Sequence, residues 1–242
     1  MPTSIPAPPG PPAQPKPYPE EADGKIRKIA ELFDRGDILQ LLEDVRNNLL
    51  GNAVQVQNLA MEFAKNHTLA DAGDNIDEAV QAVSGTWSGR AADQFTTYAS
   101  RVGKALEGQQ SVVAGMSGVL TDIAGCVIET YSKAIEFIGA CAVELGKLGY
   151  KTIIAAVTSV IPIADIFTSK DLIDAVVDAF ATLVESIVGL FAQARDTLGG
   201  FKQKAIALVQ GNTDFPDIPD LPGSSGIDDE KQWRVEPSAA PA

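Results

Sequence analysis

The chain has 242 residues, with 32 Asp and Glu against 19 Lys and Arg, a net charge of −13 and an isoelectric point near 4.4. A chain of this length builds a hydrophobic core without disulfide or metal staples. Its acidic surface repels phosphate backbones, which disfavours nucleic-acid binding. One histidine, His67, and two cysteines, Cys126 and Cys141, leave too few ligands for a Cys/His zinc site and few partners for nucleophile–base catalysis.

Residues 1–24 hold most of the prolines and read as a disordered or polyproline-like arm. The opening M-P-T-S-I-P-A-P-P-G lacks the basic start and apolar stretch of a signal peptide, so the chain is expected either to be cytoplasmic or to leave by a route that reads another address. Residues 25–50 turn helical, with a break at Gly36-Asp37 and Asp37 placed to cap the helix that follows. The first arm of a longer hairpin is expected from Ala53 to Val83. Its inward positions are Val54, Leu59, Phe63, Ile76, Val80 and Val83, with Ala60 and Ala79 allowing close approach. Gly73 weakens that helix, so a kink is expected over 70–75, and His67 on a polar stretch reads as solvated.

Between the two arms lies S-G-T-W-S-G-R-A-A-D-Q-F, residues 84–95. Gly85 and Gly89 can take backbone conformations that a Cβ forbids, and Ser88 can cap the second arm. Trp87 is a large, rigid anchor for the turn. Ala91 and Ala92 let two helices close up, and Phe95 fills the space above them.

The second arm starts near Gly89 and is expected to break where Gly146 and Gly149 fall, near 145–150. Along it Ser111, Gly118, Gly125, Ser132, Gly139 and Gly146 recur at seven-residue steps, a stripe against which a neighbouring helix can pack closely, or a chance spacing in a glycine-rich helix. Val112, Met116, Val119, Ile123, Val127, Ala134, Ile138 and Cys141 form the adjacent apolar row. Cys126 and Cys141, 15 residues apart on one helix, lie about 22 Å apart, too far for a mutual disulfide. They read as small buried hydrophobes or, in an oxidising compartment, as sites of an intermolecular disulfide.

Residues 152–164 are an apolar run too short to span a membrane and flanked by Lys151 and Asp165. Thr168 to Asp171 resembles a capping box opening a third long helix, with Ile173, Val176, Phe180, Leu183, Val184, Ile187 and Phe191 at helical spacing. Gly199-Gly200 is expected to interrupt it, leaving a short last helix to Gln210. Residues 212–242 carry seven acids and two bases, and D-F-P-D-I-P-D-L-P forbids a helix there. This tail reads as disordered and solvated, or as an extended ligand for a partner groove, with Trp233 as its anchor.

The expected architecture is all-α: a long antiparallel helical hairpin over 51–150 with a W-x-G turn, extended into a bundle by further helices over 151–211, with disordered termini. No phosphate-binding loop, dinucleotide fingerprint, H-E-x-x-H or G-x-S-x-G occurs, and no catalytic group, cofactor or metal is expected.

The run from Trp87 and Gly89 through Ala91, Ala92 and Phe95, set between two helical patterns, resembles the signature of the WXG100 (ESAT-6-like) family, small helical hairpins exported by type VII secretion. The resemblance covers residues 52–145. It implies a non-enzymatic substrate of an actinobacterial type VII (ESX-like) system, secreted to the cell envelope or medium. It also implies a type VII secretion ATPase as a partner, and pairing with a second copy or a small WXG100-like protein in a four-helix bundle. The helices after residue 150 are expected to cover part of the hairpin's apolar face in cis. The family's second export motif, Y-x-x-x-D/E, is absent: Tyr18, Tyr98, Tyr131 and Tyr150 are followed four residues on by Ala22, Val102, Ile135 and Ile154. A partner supplies that address, or export uses another feature, or the protein stays in the cytoplasm as a chaperone or scaffold. Membrane contact through 150–167 is a further alternative.

Overall fold

The structure is a computed structural model that describes residues 14–149, 152–153 and 166–210, with the backbone alone at 90, 91 and 166–169. The described residues form six α-helices: α1 (Glu20–Leu32), α2 (Gly36–Asp44), α3 (Ala53–Lys65), α4 (Thr68–Ser84), α5 (Arg90–Leu148) and α6 (Ile166–Gln210). A π-helical turn, Val45–Leu49, follows α2, and no strand occurs among these residues. The fold is all-α, a helical bundle with long helices.

Several boundaries differ from the sequence expectation. Helix α1 begins at Glu20, inside the stretch read as a proline-rich arm, because Glu20, Glu21 and Asp23 favour a helix N-terminus. Asp37 does not cap α2: its carboxylate is held by Arg35, at 2.8 Å from Nε and 2.7 Å from the terminal nitrogen. That fork holds the Asp37 carboxyl below its usual range. The first arm breaks at Asn66-His67, where the Thr68 amide donates to Asn66 Oδ1 at 3.0 Å, and α4 then runs unbroken through Gly73. Helix α6 runs through Gly199-Gly200 without interruption, and it already contains Ile166 and Phe167, so Thr168 is not its cap. Helix α5 ends at Leu148, where Gly149 takes φ +78°. The acidic tail with Trp233, and most of the 152–164 run, lie outside the described residues.

The described residues divide into two compact units. One contains residues 14–58 and 120–203 and holds a large apolar core. Ile26, Ile29, Ile38 and Leu42 meet Ile138, Leu145, Val176, Phe180 and Ile187 there, each at most 2% exposed. Burying each such side chain contributes about 1.5–3 kcal/mol. The residues before α1 are tied to this unit. The Tyr18 hydroxyl donates to Asp23 Oδ1 at 2.8 Å, with the Leu42 carbonyl as a second acceptor in reach at 3.3 Å, and Arg46 lies over the Tyr18 ring. Buried Asp23 also accepts from Arg27 Nε at 2.7 Å, and Arg27 reaches on to Glu43 at 3.1 Å.

The other unit contains residues 59–119 and 204–210. Its buried apolar residues are Ala60, Ala92, Ala99, Leu106 and Val119, three of them alanines. Ser117 Oγ donates to the Ala60 carbonyl at 2.7 Å, joining α3 to α5. The inward face of α3 differs in part from the expected one: Ala60 is buried as expected, but with Ala53 and Gln57 beside it, whereas Val54 and Leu59 are 40% and 43% exposed. All twelve of the largest fully buried side chains belong to the first unit.

Candidate functional site

The W-x-G turn is tight and glycine-dependent. The Thr86 and Trp87 amides both donate to the Val83 carbonyl, at 3.0 and 2.9 Å, closing α4. Gly89 takes φ +102°, which an L side chain rarely adopts, and its carbonyl accepts the first α5 bond from the Asp93 amide at 3.1 Å. Gly89 therefore occupies the cap position, and Ser88, read from sequence as the cap, stands one residue before it. Gly85 stays right-handed at φ −82° and does not need its freedom. Half-buried Trp87 packs on half-buried Phe95, ring centroids 5.9 Å apart and tilted 45°, while Ala92 is buried. The turn thus brings Trp87, Gly89, Ala92 and Phe95 together; the side chain of Ala91 lies outside the described ones.

Behind the turn the two arms leave a groove of about 770 Å³. Leu69, Ala70, Gly73, Asp77 and Val80 line it from one face of α4. Ser100, Gly103, Lys104, Glu107 and Ala114 line it from one face of α5. Helix α4 has no buried residue, so its apolar side chains remain at least partly open to solvent. The sequence marked Gly73 only as a break in the helix; its place is on the groove wall, a role visible in the helical spacing of residues 69, 70, 73, 77 and 80.

Among the described residues, the glycines of the heptad stripe make no close helix contact. A Cβ built on Gly118, Gly125, Gly139 or Gly146 would meet nothing within 4 Å. The close approach occurs at Gly115, outside the stripe, where a Cβ would come within 2.7 Å of the Leu208 side chain. The cysteines also part company. Cys141 is buried, with Sγ 3.8 Å from the Ala179 carbonyl, and burial pushes its thiol up to about 12, which removes it as a bridge to a partner. Cys126 is half-buried in a cleft of about 400 Å³ with Asp122, Glu129, Lys133, Gln193 and Phe201. Among the described residues no group of three His, Cys, Asp or Glu side chains could hold a metal ion.

In comparison with known proteins, no family model, no curated protein and no solved structure matches this chain.

Proposed function

We propose that this chain is a non-enzymatic WXG100-like protein, exported through a type VII secretion system and acting by protein–protein contact. The observation that carries the reading is the turn: Trp87 seated on Phe95, Gly89 at φ +102°, and a helical arm on either side. A rigid indole only half-buried at the tip of a hairpin is a surface that a secretion ATPase can read. The unfinished burial of α4 favours a partner, either a second copy or a small WXG100-like protein, which in this reading also brings the missing Y-x-x-x-D/E address.

The test is an immunoblot of culture filtrate and lysate from a wild-type strain and a strain lacking the type VII ATPase. Protein found in the filtrate only when the ATPase is present supports the reading. Protein confined to the lysate in both strains overturns it in favour of a cytoplasmic chaperone or scaffold.

A second reading, membrane contact, draws on α5 and α6. Residues Ala92–Leu148 and Lys170–Gln210 are long and apolar enough to cross a bilayer, and only 22% and 28% of their most apolar windows are buried. Dye-loaded liposomes left intact by the purified protein at neutral pH and at pH 5 would remove that reading.

A further inference from the structure

The groove between α4 and α5 has the shape of a helix-binding site. Residues 69, 70, 73, 77 and 80 line it at helical spacing on the α4 side, and small residues stand on both walls: Ala70, Gly73, Ser100, Gly103, Gly108 and Ala114. Walls this low let a third helix settle at the 8–10 Å axis separation typical of packed helices. Leu69, Val80 and Leu106 offer it apolar contact.

Charge selects among the occupants. Helix α4 carries Asp71, Asp74, Asp77 and Glu78 and no base. Of these, Asp74 and Asp77 line the groove together with Glu107, against one base, Lys104. A second copy meeting this face through a two-fold axis would set the same acids against themselves. The chain's own tail, with seven acids and two bases over 212–242, carries the same sign.

We propose that the α4–α5 groove receives an amphipathic helix from a different protein, one that presents an apolar stripe flanked by Lys or Arg. The proposal rests on the reading of this chain as an interaction protein and names the chemistry of the partner.

The test uses the full chain and two synthetic helical peptides of about 20 residues that share one Leu/Ala stripe, one flanked by Lys and the other by Glu. Fluorescence anisotropy at physiological ionic strength is expected to show the Lys peptide binding about ten-fold or more tighter. Neutralising the rim (Asp74→Asn, Asp77→Asn, Glu107→Gln) is expected to bring the two peptides within about two-fold of each other. The same neutralisation on α6 (Asp174→Asn, Asp178→Asn, Glu185→Gln) leaves the preference in place. Gly103→Leu, at a position with nothing within 4 Å of its Cβ, fills the groove and weakens binding about ten-fold with helicity unchanged.

Failure of the Lys peptide to bind overturns the proposal. So does a preference that survives neutralisation of the rim, which would mark attraction to the net charge alone. A chain that sediments as a dimer and becomes monomeric with Gly103→Leu overturns it in favour of a second copy. Export is read separately: a chain that binds the Lys peptide but never reaches the filtrate sinks only the secretion reading, and one that is exported without binding it sinks only this groove.

Discussion

Leu208 lies over Gly115: a Cβ added at Gly115 would stand 2.7 Å from one methyl of that side chain and 2.9 Å from the other. The methyls are the flexible end of Leu208, so Gly115→Ala is absorbed by a rotamer change and offset by better helix propensity. The branched Gly115→Val is expected to lower stability by about 1–3 kcal/mol. Gly118→Ala and Gly139→Ala meet nothing within 4 Å and are each expected to raise stability by up to about 1 kcal/mol. Urea unfolding of the four variants checks the contrast.

Trp87 and Phe180 separate a surface anchor from a core anchor. Phe180 is fully buried with the Arg35 guanidinium over its ring, and Phe180→Ala is expected to cost about 3–5 kcal/mol. Trp87 is half-buried and rests on Phe95, so Trp87→Ala should cost less, about 1–2 kcal/mol. Equal losses in denaturant titrations would make Trp87 a folding residue and deprive the export reading of its support.

The Tyr18 hydroxyl shares buried Asp23 with Arg27. Tyr18→Phe removes one charge-assisted bond and is expected to cost about 1–3 kcal/mol. Asp23→Ala takes the close partner from both, leaving Tyr18 the Leu42 carbonyl and Arg27 the Glu43 carboxylate, and is expected to cost about 2–3 kcal/mol. A double-mutant cycle between the two positions should give a coupling of at least about 0.5 kcal/mol, and additivity would show that the contact does not hold the strap before α1.

The cysteines predict a pH window. The unfolded Cys141 thiol loses its proton near its ordinary value of 9.0, whereas the folded one keeps it until about 12. Stability is therefore expected to fall as pH rises through that interval. Cys141→Ala removes that part of the slope, so the difference between variant and wild type is constant below the interval and changes within it, measurable as Tm against pH. In native protein a thiol reagent should modify Cys126 first and reach Cys141 only on unfolding.

The sequence revealed the helices better than their faces. The W-x-G turn, the break at Gly149 and the core row Val176, Phe180, Leu183 and Ile187 could be read because apolar spacing and glycine punctuation are local signals. Helix α6 runs through Gly199-Gly200 because the cost of the pair, about 1 kcal/mol per glycine, is offset by not having to nucleate a second helix beyond it. The seven-residue glycine rhythm misled because spacing shows where a helix could approach but not whether one does. Gly115 falls outside the rhythm and is the glycine beneath Leu208. The burial of Ala53 and Gln57 in place of Val54 and Leu59 goes with long-range packing such as the Ser117–Ala60 contact across 57 residues, which no local pattern announces. Nothing in the spacing says that buried Gln57 keeps Oε1 unpaired.

Helix α4 completes 17 residues without burying one of them. Its amide hydrogens are held by little beyond the helix itself, so they should exchange with solvent through brief local openings, while those around Ile138 and Phe180 exchange only when the whole domain unfolds. The chain then comes apart in a set order, with 68–84 first. The same loosely held arm carries the turn with Trp87 and one wall of the groove, so a ligand that slows exchange there would be seen as protection spreading toward the hairpin tip.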